Sequence, residues 1–443
     1  MTSPHLAPFP SRRMRGFLWL YKALWVVLFP VVMLYLLLRS RKDPTYRAHL
    51  QERFGLYPIP LKNAVWVHAV SLGEFRSAVP LIQALLAQGE HVVITNFTPA
   101  GRREAHKQFS TEIKQGQMSV VWVPFEFDIC FRQFFKAFTP KYGLVMEIEY
   151  WPQMIASCHK HAVPLFICNG QYPTKSFERD QGKIRAELVT GFAGVMVKSE
   201  RQADRFRSLG AKNIAITGEL RFDQPIPPHL LEAADNLRPQ LLARPVVTLA
   251  SVIAGEDVLY INAIKAARQQ WQNAGKTPPL FIYVPRAPER FSETADLLQD
   301  AGLNIARRSD VLDKNLTLTE AWPNIDVLLG DSMGEMYFYL SLAQQVIVGG
   351  GFHPKGAHNV IEPLAVQKPV LVGPHIWTIE YPAFEAIKAG VVRQLDDEKA
   401  LIAALSPAEL GVISGDIGEF YTAHSGAAQR SLKALPALRR PEN

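Results

Sequence analysis

Cysteine is scarce in this chain: three in 443 residues, Cys130, Cys158 and Cys168, with no framework spacing. Their scarcity excludes a disulfide-stapled scaffold and suits a reducing cytosol. The run Cys158-His159-Lys160-His161 reads as a helix end before a strand at Pro164, not as a metal site. Internal repeats and low-complexity tails are also missing, which excludes a solenoid and a disordered linker protein. Most of the chain lacks net charge as well. Residues 1–60 hold nine Lys/Arg (Arg12, Arg13, Arg15, Lys22, Arg39, Arg41, Lys42, Arg47, Arg53) against Asp43 and Glu52, which accounts for the whole formal charge of +7. The remainder is neutral, so a nucleic-acid groove is not expected.

One long hydrophobic run is present. Gly16 to Leu38 is apolar except for Lys22, close to the roughly 20 residues that cross a bilayer. Arg39-Ser40-Arg41-Lys42 stands where a signal peptide would need small residues for cleavage. Basic residues flank both ends, so charge gives no orientation for a span. A helix lying in or dipping into the cytoplasmic leaflet, held by anionic headgroups, accounts for both flanks better than a crossing.

A chain of this length needs more than one core. From Ala64 onward β-branched runs alternate with amphipathic stretches of helical length, the pattern of parallel sheets covered on both faces. Pro225, Pro227, Pro228, Pro239 and Pro245 interrupt that rhythm. The expected division is a basic anchor segment over 1–60, an α/β domain over 61–223, a linker over 224–245 with a short helix inside it, and a second α/β domain over 246–443, whose last helix could pack back on the first. The expected architecture is two doubly wound domains facing across a cleft, with ligands at the carboxyl ends of the strands.

The richest stretch lies in the second domain. Val346-Ile347-Val348 runs into Gly349-Gly350-Gly351, and a helix is expected to start near Asn359 to Pro363, Pro363 being tolerated in a first turn. Loop amides and helix dipole would make an anion site, and Glu362 could accept bonds from two ribose hydroxyls. Phosphate and ribose groups on one turn suggest a nucleotide-activated donor. Arg286, after Val284-Pro285, could meet a nucleotide phosphate or base, and Gly330-Asp331-Ser332-Met333-Gly334-Glu335 offers amides and a carboxylate after another strand. In the first domain, Glu74 of Ser71-Leu72-Gly73-Glu74 sits where a strand gives way to a helix, placed to take a proton from an acceptor hydroxyl. Glu147 and Glu149 end an apolar strand, and strand alternation would put them on one face. Arg221, in Gly218-Glu219-Leu220-Arg221-Phe222-Asp223, could hold a carboxylate or phosphate, or else pair with Asp223.

Taken in order, Ser71 to Glu74, Met146 to Glu149 with Trp151-Pro152, Gly218 to Asp223, Pro285-Arg286 with Pro288 to Phe291, Met333 to Glu335 and His358-Asn359 with Glu362 resemble the 3-deoxy-D-manno-octulosonic acid (Kdo) transferases of lipopolysaccharide assembly. The resemblance runs from about residue 15 to the C-terminus. It implies a GT-B fold and an inverting, metal-independent transfer of Kdo from CMP-Kdo to lipid A precursor (lipid IVA) at the cytoplasmic face of a bacterial inner membrane. It needs no cofactor beyond the donor substrate, in keeping with the missing Asp-x-Asp motif. It further implies Glu74 as general base and Glu147 and Arg221 as transition-state stabilisers. Pro285, Arg286, Met333, Gly334, Glu335, Asn359, Val360, Ile361 and Glu362 fall at its CMP-binding positions. The chain departs from the family pattern at Val252-Ile253-Ala254, Ala287, Gln171, Gly351 and Trp377-Thr378. Those departures leave open a different ulosonic acid donor, or a non-catalytic partner that binds lipid or CMP. A nucleotide-sugar epimerase of similar fold is a further alternative.

Overall fold

Unbroken apolar runs form the strands, because both faces of a parallel sheet are buried. The computed structural model describes residues 9–439 except Leu242, so the first eight residues of the expected 1–60 segment and the last four of the expected 246–443 domain lie outside the described residues. The chain divides into two units, residues 1–224 with 425–443, and residues 225–424.

The first unit holds β1 (Val65–His68), β2 (Val92–Asn96), β3 (Met118–Trp122), β4 (Tyr142–Met146), β5 (Leu165–Gly170), β6 (Gly194–Val197) and β7 (Ile214–Ile216). They pair in parallel in the order β3-β2-β1-β4-β5-β6-β7. The chain moves outward from β1 to β3 and returns beside β1 at β4, so the loops after β1 and β4 flank the point where the winding reverses. Such a point opens a crevice at the strand ends.

The second unit repeats the plan with β8 (Val246–Val252), β9 (Leu280–Pro285), β10 (Ile305–Arg307), β11 (Val327–Leu329), β12 (Gln345–Val348), β13 (Val370–Val372) and β14 (Val392–Gln394). Their order is β10-β11-β9-β8-β12-β13-β14, again all parallel, and the winding reverses between β8 and β12. Residues 224–245, expected as a linker, are mostly part of this unit. The helix Pro228–Leu237 puts Leu230, Ala234 and Leu237 into the core with Ile282 and Phe338. Pro227 and Pro228 mark the start of the short helix expected inside this stretch.

The C-terminal helix Ala427–Leu438 belongs to the first unit, where Ala427, Leu432 and Leu435 pack on the face carrying Phe75 and Leu81. Asp223 fastens it by accepting from the backbone N–H of Ala428 at 2.7 Å and of Gly426. Asp223, weighed from sequence as a partner for Arg221, thus serves to hold the C-terminal helix.

The long apolar run forms α1 (Arg12–Ser40), 29 residues, which lies along the first unit. Met14 and Leu18 enter the core beside Ile155 and Val189, and Leu36 packs on Phe125. Between these ends an aromatic row at helical spacing, Phe17, Tyr21, Trp25 and Phe29, faces inward, with Phe29 edge-on to Phe125 and Phe127 at 5.1 and 5.2 Å. The opposite face is bare: Trp19 is 72% exposed and Val27 71%. Arg53, one of the nine basic residues of the 1–60 segment, is buried and stacks on Trp122 at 4.3 Å.

Candidate active site

The helix α2 (Leu72–Ala87) starts directly after β1, with Ser71 as its N-cap. Ser71 Oγ accepts from the Glu74 N–H at 3.3 Å and donates to Glu74 Oε1 at 2.8 Å, while the Val70 N–H donates to Oε2 at 2.8 Å. This reciprocal cap folds the Glu74 carboxylate back over the end of β1. Burial pushes its pKa up to about 7. The Ser71 and Val70 bonds oppose that rise, and the charges of Glu149 and Glu147 add to it. A carboxyl half ionised near neutrality is suited to proton transfer.

Glu147 follows β4 in the left-handed region, φ +57°. That conformation costs about 1 kcal/mol for a residue with a side chain. Glu147 and Glu149 take different partners, although their charges still bear on one another. Glu149 accepts from the Trp151 indole N–H at 2.8 Å, and burial raises its pKa. Glu147 lies 3.5 Å from an Arg221 guanidinium nitrogen and 4.0 Å from Lys198 Nζ. Arg221 also donates through Nε to Ser77 on α2 at 2.8 Å, one turn beyond Glu74. The first unit thus brings Glu74, Glu147 and Arg221 into one neighbourhood.

Lys198 was not foreseen. It ends the apolar strand β6, is almost wholly buried, and meets Glu219 at 2.6 Å and Gln171 at 3.0 Å. Burial pushes the Glu219 carboxyl up, but Lys198 and Arg221 outweigh it and hold the group below its ordinary value. Asn169 joins this cluster by donating to Glu219 at 2.9 Å. The available signal was a charged residue closing an apolar strand, the same one that drew attention to Glu147.

In the second unit the expected donor residues stand on loops at the carboxyl edge of the sheet. Pro285 ends β9 and is buried; Arg286 follows, exposed, its Nη1 2.8 Å from His358 Nε2 on the loop after β12. Burial and the Arg286 charge bring the His358 imidazole down to about 4, so it is neutral at physiological pH. Met333 is exposed and Gly334 takes φ +85°, but Glu335 is engaged by the protein itself. Arg308 grips both its oxygens at 2.7 and 2.8 Å, and Ser332 and Tyr339 donate to it.

The helix expected from Asn359 begins at Ile361, with Val360 as N-cap, and Asn359 Oδ1 accepts from the Ile361 N–H at 3.0 Å. Glu362 lies in its first turn. The glycine loop differs from expectation more sharply. The N–H groups of Gly350 and Phe352 donate to Glu256 at 2.7 and 3.1 Å, so the anion in this nest is the protein's own carboxylate. The glycines are needed for close approach: a Cβ on Gly349 would come 2.5 Å from the Ser251 carbonyl oxygen, and one on Gly373 2.3 Å from Gly351.

Residues 48–224 match the family profile described as 3-deoxy-D-manno-octulosonic-acid transferase (kdotransferase). The 3-deoxy-D-manno-octulosonic acid transferase of Bordetella pertussis is 37% identical over 418 residues, 92% of this chain and 96% of the relative. That of Haemophilus influenzae is 31% identical, covering 95% of this chain and 98% of the relative. Among solved structures, Anabaena Alr3699/HepE in complex with UDP aligns over 85% of this chain and 99% of its own at a TM-score of 0.55 and 12% identity, a likeness of fold alone. With two doubly wound units of the GT-B class and relatives matched over nearly its whole length, this chain belongs to the Kdo transferase family.

Proposed function

We propose that the protein transfers Kdo from CMP-Kdo to a hydroxyl of a lipid A precursor, lipid IVA, with inversion. The observation that carries this reading is the Glu74 carboxylate, held at the end of β1 with a pKa near 7 and accompanied by Arg221 and Glu147, in a chain of this family. In the proposed reaction Glu74 takes the proton of the acceptor hydroxyl as its oxygen attacks the anomeric carbon of the donor. The bond from that carbon to the phosphate oxygen breaks, and its electron pair leaves with CMP. Arg286 and the backbone around Met333-Gly334 and Asn359 to Ile361 hold the departing phosphate, and Glu362 takes the ribose hydroxyls. Glu335, being tied to Arg308, shapes the loop that presents those amides. Arg221 and Glu147 balance charge as the glycosyl bond loosens. Fixed donors and charges of this kind stabilise a leaving phosphate without a metal.

The setting we propose is the cytoplasmic face of a bacterial inner membrane, with α1 lying in the leaflet. A helix of this length reaches about 43 Å, enough to cross. Yet it is fastened at both ends to a water-soluble unit, and Tyr21 in its middle donates to buried Glu126 at 3.0 Å. An upright helix would have to break that seam. Basic groups at both ends then meet headgroups of the same leaflet.

Mass spectrometry of lipid IVA incubated with the protein, CMP-Kdo and EDTA tests the reaction; a mass gain of Kdo residues is expected. Unmodified lipid under these conditions, with or without added divalent cation, contradicts it. Cysteines placed at Arg13 and Arg41 should both react with an impermeant maleimide in inside-out vesicles, whereas protection of one contradicts the leaflet reading.

A further inference from the structure

Between α1 and the strand-end loops of the first unit lies a cavity of about 380 Å³, within the size range of ligand pockets. Trp25, Val32 and Leu36 of α1 form one wall, and Phe97, Phe125 and Trp151 form much of the other. The acid on its boundary is already satisfied: Glu126 accepts from the N–H groups of Gln153 and Met154, each at 2.9 Å, and from Tyr21. The interior therefore offers hydrocarbon contacts, and water would find few partners there. Two polar groups on the boundary remain unmatched, the Tyr150 hydroxyl and the Arg53 Nε–H. Arg53 is 1% exposed, gives one bond to the Phe97 carbonyl at 3.3 Å, and leaves its Nε–H without an acceptor. A buried unpaired donor costs about 1–3 kcal/mol, so the site favours a chain that carries an oxygen.

Two neighbours fix which chain. Outside, the bare face of α1, with Trp19, Val27 and Val31 at 72, 71 and 60% exposed, is a surface for lipid, so the cavity is one helix thickness from hydrocarbon. Inside, Trp151 both lines the cavity and donates to Glu149, whose charge bears on Glu74. We infer that this cavity holds one acyl chain of the acceptor lipid, seated under α1 while the lipid's sugar hydroxyl is presented to Glu74. The Arg53 Nε–H then donates to an ester, amide or hydroxyl oxygen near the head of that chain. This inference rests on the lipid acceptor proposed above. It adds that the enzyme measures its acceptor by an acyl chain as well as by its sugar.

The test fills the cavity from α1 with Val32→Trp, with Val32→Ala as the control for damage to the helix. The readout is the ratio of kcat/KM for acylated lipid IVA to that for its fully deacylated disaccharide. Val32→Trp should lower that ratio at least tenfold, mainly through KM for the acylated acceptor, and Val32→Ala should leave it within twofold. Equal loss on both acceptors, or an unchanged ratio in Val32→Trp, overturns the pocket. A second readout needs no turnover. Lipid IVA carrying a diazirine at the end of one acyl chain is crosslinked to the wild-type protein in nanodiscs and mapped by mass spectrometry. Adducts on Trp25, Phe125 or Trp151 support the pocket even if no Kdo is transferred, in which case only the transferase reading fails. Adducts confined to Trp19, Val27 and Val31 place the chain outside α1 and overturn it.

Discussion

The two units share a winding plan and use its reversal point in opposite ways. In the first, the loops after β1 and β4 place Glu74 and Glu147 there, leaving Glu74 buried enough to titrate near pH 7. In the second, the loops after β8 and β12 bring an acid to the same position, but Glu256 is consumed by the amides of Gly350 and Phe352. Burial raises both carboxyls, Glu74 to about 7, but Glu256 is the one whose partners are the amides of a glycine loop that it braces. The lesson is that a doubly wound sheet offers a crevice, and the partners of the acid inside decide between chemistry and scaffolding.

The largest expected effect breaks this contrast on the first side. Glu74→Gln should reduce kcat by roughly 100-fold or more. CMP binding, measured by calorimetry, should be unchanged because the second unit is untouched. On the second side, Glu256→Ala strips the acceptor from the amides of Ile253, Gly350 and Phe352, at roughly 1–3 kcal/mol for each group left unpaired. A lower thermal midpoint and weaker CMP binding, by about tenfold or more, are expected with no change in the pH dependence set by Glu74. Arg286→Ala should weaken CMP binding by about tenfold, the loss of one charge-assisted contact, and relieve part of the depression of the His358 pKa, which NMR titration would read.

The smallest effect sharpens the comparison. Ser71→Ala removes a bond that lowers the Glu74 pKa, so the acid limb of the rate profile should move to higher pH. It also removes a helix cap worth about 1 kcal/mol. Glu149→Gln removes a neighbouring negative charge and should move the limb the other way.

Much of the fold was legible in the sequence because long apolar runs have one stable use here, as strands buried on both faces. Val246 to Ala250, Gln345 to Val348 and Val370 to Val372 needed no more than that. The strands Ile305–Arg307 and Val392–Gln394 escaped notice because they are three residues long, at sheet edges, and partly exposed, so composition marks them weakly. The short helix expected inside the 224–245 stretch is there as Pro228–Leu237, but its prolines could not show that it packs into the core of the second unit. At the site, residues whose role follows from a local signature were visible, as in the cap around Glu74. What a single motif could not show was long-range pairing: Lys198 with Glu219, Arg221 with Ser77 and Glu147, Arg308 with Glu335, and Glu256 with the glycine loop. Each joins segments distant in sequence, and only the fold brings them into contact.

The pH dependence of kcat/KM, measured on wild type and Glu74→Gln with lipid IVA and CMP-Kdo, tests the assignment of the base most directly. A base must be ionised to act, so wild-type activity should fall below about pH 7, approaching tenfold per pH unit, and the residual activity of Glu74→Gln should lack that limb. An acid limb that survives unchanged in Glu74→Gln would place the base elsewhere.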